Sequence, residues 1–269
     1  MYALLGATTM SKSKYPTHLV IPDVQVKPGQ NYDHLRWLGR FIADKQPDTI
    51  VCIGDFADMP SLSLYDVGKK SFEGRRYVDD VNAAIEAMDT LMEPINTMNA
   101  QRRRNKKAPY QPRKVLTLGN HEHRINRAIE LDRKLEGLIS VNDLRYEEHG
   151  WDVYPFLEPV ILDGVAYCHY FVSGVMGRSV SSVRMLAAKK HMSCTMGHVQ
   201  TAEIDMSQRR GDGQPIIGLF AGIYTPYDEE YLNPQTNMQH RQVWMKYEVR
   251  DGFYYPCPVS IEYLKEKYA

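Results

Sequence analysis

Three short apolar runs in the first half of the chain each end in a carboxylate or an amide: "THLVIPD" at 17–23, "DTIVCIGD" at 48–55 and "KVLTLGN" at 114–120. Between them lie segments with helical spacing. "NYDHLRWLGRFIADKQ" (31–46) carries Leu35, Leu38, Phe41 and Ile42 on one face, and a longer segment sets Val78, Val81, Ile85, Met88, Leu91, Met92 and Ile95 on one stripe. Strands alternating with helices restrict this half to a largely parallel sheet with helices packed outside it. Such a sheet delivers the residues that follow its strands to a single edge, the crevice where open α/β sheets bind ligands.

The second half has a different grammar. "PVILDGVAYCHYF" (159–171) holds Asp163-Gly164 between two apolar runs, a hairpin signal. "RSVSSVRMLAAKKH" (178–191) predicts a helix and "SCTMGH" (193–198) a short strand. Two further hairpins follow, turning near Gly211–Gly213 and at Asp251-Gly252. Parallel units followed by antiparallel hairpins predict two stacked sheets with helices outside. No repeat or low-complexity linker interrupts the 269 residues, so the expectation is a loose tail over 1–14 and one large domain over 15–269.

Composition narrows the partners. Lysine plus arginine equals aspartate plus glutamate, 33 against 33, so no global field selects for nucleic acid or an acidic membrane. No run approaches the ~18 apolar residues of a spanning helix, and "MYALLGATTMSKSKYP" does not read as a secretory signal. The four cysteines show no CxxC spacing. Cys52, Cys168 and Cys194 fall in strand-like apolar segments, as buried thiols of a reducing compartment do, and the cytoplasm is the expected location.

The strand ends carry the chemistry. Asp23 ends the first run, Asp55 the second, Asn120 and His121 the third, His169 a fourth and His198 a fifth. Singly, each has an ordinary reading as a helix cap, a turn residue or a packed histidine. Together they supply two carboxylates, an amide oxygen and two imidazoles to one sheet edge, an inventory suited to divalent metal.

These residues, in "DVQ" (23–25), "GDFAD" (54–58), "GNHE" (119–122), "YCHY" around His169 and "GHVQ" (197–200), resemble the calcineurin-like metallophosphoesterases. That family's pattern runs D-x-H, G-D-x-x-D/N, G-N-H-D/E, a later His, then G-H-x-H. The resemblance implies an α/β protein, a four-layer α/β/β/α sandwich with two mixed β-sheets and a two-metal centre at the sheet edge. It implies that Asp55 bridges two divalent ions, that Asn120, His169 and His198 complete the second ion's shell, and that Asp23 with positions 25 and 200 completes the first. It further implies hydrolysis of a phosphate ester by metal-activated hydroxide, with His121 assisting the leaving group, Asp58 orienting His121, and Asn120, His121 and Arg124 meeting substrate. For Asp58 a capping role, and for Arg124 an exposed place on the following helix, stay open as alternatives.

The chain departs from that pattern at Gln25 and Gln200, where histidines stand in the family. Both fall on the first ion. An amide oxygen is a harder and weaker donor than imidazole, so Mn²⁺ or Mg²⁺ is expected over Zn²⁺ or Fe, with a first site that is weak or empty. Met59 stands where protein Ser/Thr phosphatases carry arginine, which argues against a phosphoprotein substrate. The expected partner is a phosphoester, with a phosphodiester, nucleotide or nucleic acid favoured, and no membrane; oligomeric state is left open. The alternative is a non-catalytic scaffold or binding module that keeps the fold around an altered site. One basic cluster, "QRRRNKKAPYQPRK" (101–114), can be read as a nucleic-acid track or, in the favoured reading, as a solvated helix end complementing the macrodipole. "GVMGRSVSS" (174–182) reads as a loop with a phosphate seat as the lesser alternative.

Overall fold

The three apolar runs become β1 (His18–Ile21), β2 (Thr49–Cys52) and β3 (Arg113–Thr117), parallel and adjacent, with a fourth parallel strand, β4 (Asp152–Tyr154), beyond them. The computed structural model describes residues 14–209, 211–228 and 240–269, so most of the expected tail over 1–14 lies outside the described residues. A second sheet comprises β5 (Val160–Leu162), β6 (Val165–Tyr167), β7 (Ser193–Met196), β8 (Ala202–Gln208) and β9 (Pro215–Ala221), in the order β5-β6-β7-β9-β8. Its β6, β7 and β9 run parallel, flanked by antiparallel edges. The last hairpin, β10 (Gln242–Arg250) and β11 (Phe253–Ser260), returns to pair antiparallel with β1, giving a first sheet ordered β11-β10-β1-β2-β3-β4. Both sheets are mixed, as expected.

Strand alternation builds the layers. Leu19, Ile21, Ile50 and Cys52 face a core shared with α1 (Asp33–Lys45), α2 (Tyr77–Arg104) and the C-terminal α5 (Ile261–Tyr268). The intervening Val20, Val51 and Ile53 turn inward against Val165, Tyr167 and Leu219 of the second sheet. On that sheet's outer face, Ala166, Cys194 and Met196 meet Val183 and Leu186 of α4 (Val183–Lys190). The result is helix, sheet, sheet, helix. Each fully buried Leu or Ile contributes on the order of 1.5–3 kcal/mol, so three contiguous cores, not helix propensity, hold the arrangement.

Two expectations shift. On α2 the buried face runs through Ala83, Ala84, Ala87, Met88 and Leu91, while Val78 is 56% exposed and Val81 and Ile85 are only half-buried. Small residues face α1 because the helices touch there: a β-carbon on Gly39 of α1 would come within 2.3 Å of the Leu91 carbonyl. The helix expected over 178–191 starts only at Val183. The serines and valine before it stay extended, with the Val180 N–H donating to Phe171 O at 2.9 Å.

The Asp163-Gly164 and Asp251-Gly252 turns both form, and they meet. Gly252 N–H donates to Asp163 O at 2.9 Å, and a β-carbon on Gly164 would lie 2.3 Å from Gly252 N, so this sheet-to-sheet contact requires glycine. Cys52, Cys168 and Cys194 are buried free thiols and Cys257 is exposed. Among the described residues no helix is long and apolar enough to cross a membrane.

Candidate metal centre

The loops after β1, β2 and β3 are laced together before any side chain is considered. Val24 and Gln25 donate their backbone N–H groups to Asp55 O at 3.1 and 2.8 Å, and Val26 donates to Phe56 O at 2.8 Å. Asp55 (φ 49°) and Gln25 (φ 54°) are left-handed, as are His198 (φ 67°) and Gln200 (φ 40°) across the crevice. Non-glycine residues in that region cost on the order of 1 kcal/mol each and collect at functional sites.

Side chains from both sheets then converge. Asn120 Oδ1 lies 2.9 Å from His169 Nε2 and 2.9 Å from His198 Nδ1. His169 Nε2 is 3.3 Å from Asp55 Oδ2. His169 donates its Nδ1–H to Ile53 O at 3.0 Å, which turns Nε2 toward this cluster. Ligand atoms of Asp55, His169 and His198 all lie within 4.8 Å of one another. Asp23, fully buried, receives the His198 backbone N–H at 3.1 Å on each carboxylate oxygen. Gln25 joins through its backbone, and Gln200 lies two residues past His198 in the same loop.

Two glycines make the convergence possible. A β-carbon on Gly119 would sit 2.0 Å from Asp55 Oδ1, and one on Gly197 would sit 2.3 Å from Asp23 Oδ1. Carboxylates occupy the space where side chains would be.

Electrostatics treat the two carboxylates of the cluster differently. Burial, joined by the Asp55 charge, pushes Asp23 up to about 7. Burial also opposes ionisation of Asp55, yet His121 and His169 outweigh it and hold that carboxyl below the usual range. Asp55 in turn overcomes the burial of His169 and raises it to about 9, whereas burial and His169 lower His198 to about 4. Among the described residues no lysine or arginine pairs with Asp23 or Asp55. Two buried carboxylates, an amide oxygen and two imidazole nitrogens, held by a fixed backbone and uncompensated by a fixed cation, fit a divalent metal ion.

Beside this set stands His121. Its backbone N–H donates to Asp55 Oδ1 at 2.9 Å, and its Nδ1 lies 2.6 Å from Asp58 Oδ1. Arg124, the first residue of α3 (Arg124–Leu131), donates to Asp58 O at 2.7 Å and brings Nη2 to 3.2 Å from His121 Nε2. Asp58 therefore faces His121 and caps no helix, and Arg124 is half-buried against it. Burial opposes charge on His121, but Asp55 and Asp58 prevail and its affinity for a proton is raised; Arg124 works in the opposite sense. A cavity of about 760 Å³ opens beside His121, Asp58 and Arg124.

Sequence reading assigned no role to Glu122. Fully buried, its carboxylate accepts the N–H groups of Asp55 (3.0 Å), Ala57 (2.9 Å) and Gly119 (2.9 Å), with Tyr146 Oη at 3.4 Å. It fastens the loop that carries Asp55 to the loop that carries Asn120 and His121. The signal was its place in "GNHE", an acid beside a tight glycine turn. The basic cluster falls elsewhere: Arg102, Arg103 and Arg104 close α2 and Arg113 opens β3, so it sits at the opposite edge of the sheet from Asn120.

The calcineurin-like phosphoesterase family matches residues 17–190, and the chain belongs to it. It is thus a metal-dependent phosphoesterase by class. The matched stretch contains Asp23, Asp55, Asn120 and His169, and His198 lies beyond it. No curated protein matches the chain.

Proposed function

We propose that this protein hydrolyses small phosphodiesters, nucleotides among them, with Asp23, Asp55, Asn120, His169 and His198 as metal ligands and His121 as the proton donor to the leaving oxygen. The observation that carries this reading is the Asp58–His121–Arg124 group, buried beside the ligand cluster and opening on a cavity. Gln25 and Gln200 would offer oxygen donors to a first ion, which favours Mn²⁺ over Zn²⁺. The bound ions supply neutralisation of the phosphoryl oxygens and a water acidic enough to attack at neutral pH.

The chain's own residues do the rest. Asp58 holds His121 by Nδ1 and keeps Nε2 facing the reacting group. Asp55 and Asp58 raise the ring's affinity for a proton, while Arg124 lowers it and offers a guanidinium to a phosphate oxygen, so the ring is poised to pass a proton to an oxyanion. As water oxygen bonds to phosphorus, the bond to the leaving oxygen breaks and that oxygen takes the proton of His121 Nε2. A proton from the attacking water later restores the ring. The products are a phosphomonoester and an alcohol.

Small diesters are favoured over long strands. Among the described residues, the cations lining the 760 Å³ cavity, Lys27, Lys69, Arg75, Arg76 and Arg124, are matched in number by Asp58, Asp66, Glu73, Asp79 and Asp80, a balance that does not favour tracking a polyanion. Free thiols support the cytoplasm as its compartment.

The test is Mn²⁺-dependent turnover of bis-p-nitrophenyl phosphate against p-nitrophenyl phosphate. The diester is expected to be preferred, and His121→Ala to lower kcat by about 10²–10⁴-fold with loss of the alkaline limb of its pH profile. A His121→Ala enzyme within tenfold of wild type would remove His121 from the mechanism. Absence of both turnover and bound metal would instead favour a scaffold.

A further inference from the structure

A second groove, lined like the first cavity by Arg124, reaches Asn120 of the candidate metal centre. Its volume is about 340 Å³, and it runs from Asn120 between the loop at 61–72 and α3. Its walls differ from those of the larger cavity. Among the described residues no carboxylate lines it and Arg124 and Arg127 are its only charged ones, while Leu62, Val67, Tyr65 and Leu131 supply apolar surface. Tyr65 is 88% exposed, Leu131 68% and Val67 63%, although large apolar side chains clustered at a pocket mouth are costly to leave in water. His121 lines the larger cavity and Asn120 the groove, while Arg124, Ser63 and Tyr65 line both.

A phosphodiester has two organic arms, and two adjoining clefts meet here at Arg124, Ser63 and Tyr65. The arm that departs must lie on the side of His121, where the proton is. The arm that stays on phosphorus is then directed past Asn120 into the groove. We infer that the groove is a specificity subsite for the retained ester arm, and that it selects an aromatic group, a nucleobase or an aryl ring, with Tyr65 and Leu131 as its walls. This inference rests on the phosphodiesterase reading and adds a direction to it: the aromatic group ends on the phosphomonoester product and the polar arm leaves as alcohol. The charges agree with that assignment, because Arg127 and Arg124 face a product with one more negative charge than the substrate. At about 340 Å³ the groove lies at the lower end of ligand-pocket sizes, enough for one ring system and not for a polymer. Ring-on-ring contact with Tyr65 would be tolerant of base identity.

The experiment compares phenyl p-nitrophenyl phosphate with methyl p-nitrophenyl phosphate under Mn²⁺, so that the leaving group is constant and only the retained arm changes. Wild type is expected to prefer the phenyl ester by about tenfold or more in kcat/KM, the scale on which apolar pockets discriminate. In Y65S/L131S, both exposed positions, the preference is expected to fall below about threefold through loss on the phenyl ester, with thermal unfolding unchanged. A wild-type ratio near one would overturn the subsite. So would a ratio that persists in the double variant. If neither diester is hydrolysed, the phosphodiesterase reading itself fails and takes this inference with it; hydrolysis of both at equal rates sinks the subsite alone.

Discussion

Two polar clusters are buried between the sheets, and they differ in how they are satisfied. One is the candidate metal centre past the end of β1. The other gathers around His18, at the start of the same strand, and Lys246, its partner on β10. Both residues are fully buried. In this second cluster donors meet acceptors: His18 lies 2.7 Å from Tyr167 Oη through Nδ1 and 2.9 Å from Asp163 through Nε2. Lys246 Nζ donates to Thr195 Oγ1 at 2.5 Å and to Tyr167 Oη at 3.3 Å, between the Tyr167 and Tyr254 rings at 4.4 and 4.1 Å. In the candidate metal centre two carboxylates, an amide oxygen and two imidazoles converge. Among the described residues no lysine or arginine pairs with either carboxylate, and histidines and backbone N–H groups meet them instead. A buried polar cluster that closes on itself serves specificity of packing. One whose carboxylates are met by imidazoles offers a divalent ion a ready donor set once those imidazoles give up their protons.

The sharpest way to break that contrast is activity. Asp55→Ala should lower Mn²⁺-dependent kcat/KM on bis-p-nitrophenyl phosphate by at least about 10³-fold, because it removes the carboxylate proposed to serve both ions. Lys246→Met, which keeps the length of an equally buried residue, should stay within about threefold of wild type. Comparable losses in the two variants would erase the distinction.

Stability against pH gives the next largest effect. Burial, with Lys246 beside it, lowers His18 to about 4 despite the Asp163 carboxylate. Between roughly 6.5 and 4 the unfolded chain binds a proton at this position that the folded chain refuses. Stability therefore falls as pH falls through that window, by at most about 3 kcal/mol from His18 alone. His34, also buried and lowered to about 4, adds to the same slope. The informative measurement is thus the difference in urea-unfolding free energy between wild type and His18→Asn at pH 7, 6 and 5. The variant's slope should be shallower, and an unchanged slope would show that His18 is not held neutral.

The smallest effect is linkage at the metal. His169 holds its proton to about 9 in the metal-free chain and must release it to become a ligand. Mn²⁺ binding should therefore release protons at pH 7, and apparent affinity should rise by up to about tenfold per pH unit between 6 and 9. Calorimetry in buffers of different ionisation enthalpy reads the proton count directly. His169→Gln should abolish most of it and Lys246→Met should not.

Much of the architecture could be read along the chain. Strand ends at Asp23, Asp55 and Asn120, the Asp163-Gly164 and Asp251-Gly252 turns and the α1 face are short-range signals, carried by periodicity and turn chemistry within about a dozen residues. β4 was not, because three residues carry no periodicity. α5 was announced by Ser260, whose side chain accepts the Tyr263 N–H, but that cap is recognisable only once the preceding strand is known to end there.

What the sequence by itself determined, then, is which residues stand at strand ends. The single edge it suggested is in fact two, with Asp23, Asp55 and Asn120 following strands of the first sheet and His169 and His198 following β6 and β7 of the second. Tertiary structure decided their partners: that Asp58 meets His121, that Arg124 turns inward, that Glu122 ties two loops, and that the arginines of 102–104 lie away from the site. These pairings join residues tens of positions apart, and their energies depend on burial and on the charges that other strands bring alongside. Local pattern contains neither quantity, so it can name the members of a buried cluster without saying whether that cluster is complete.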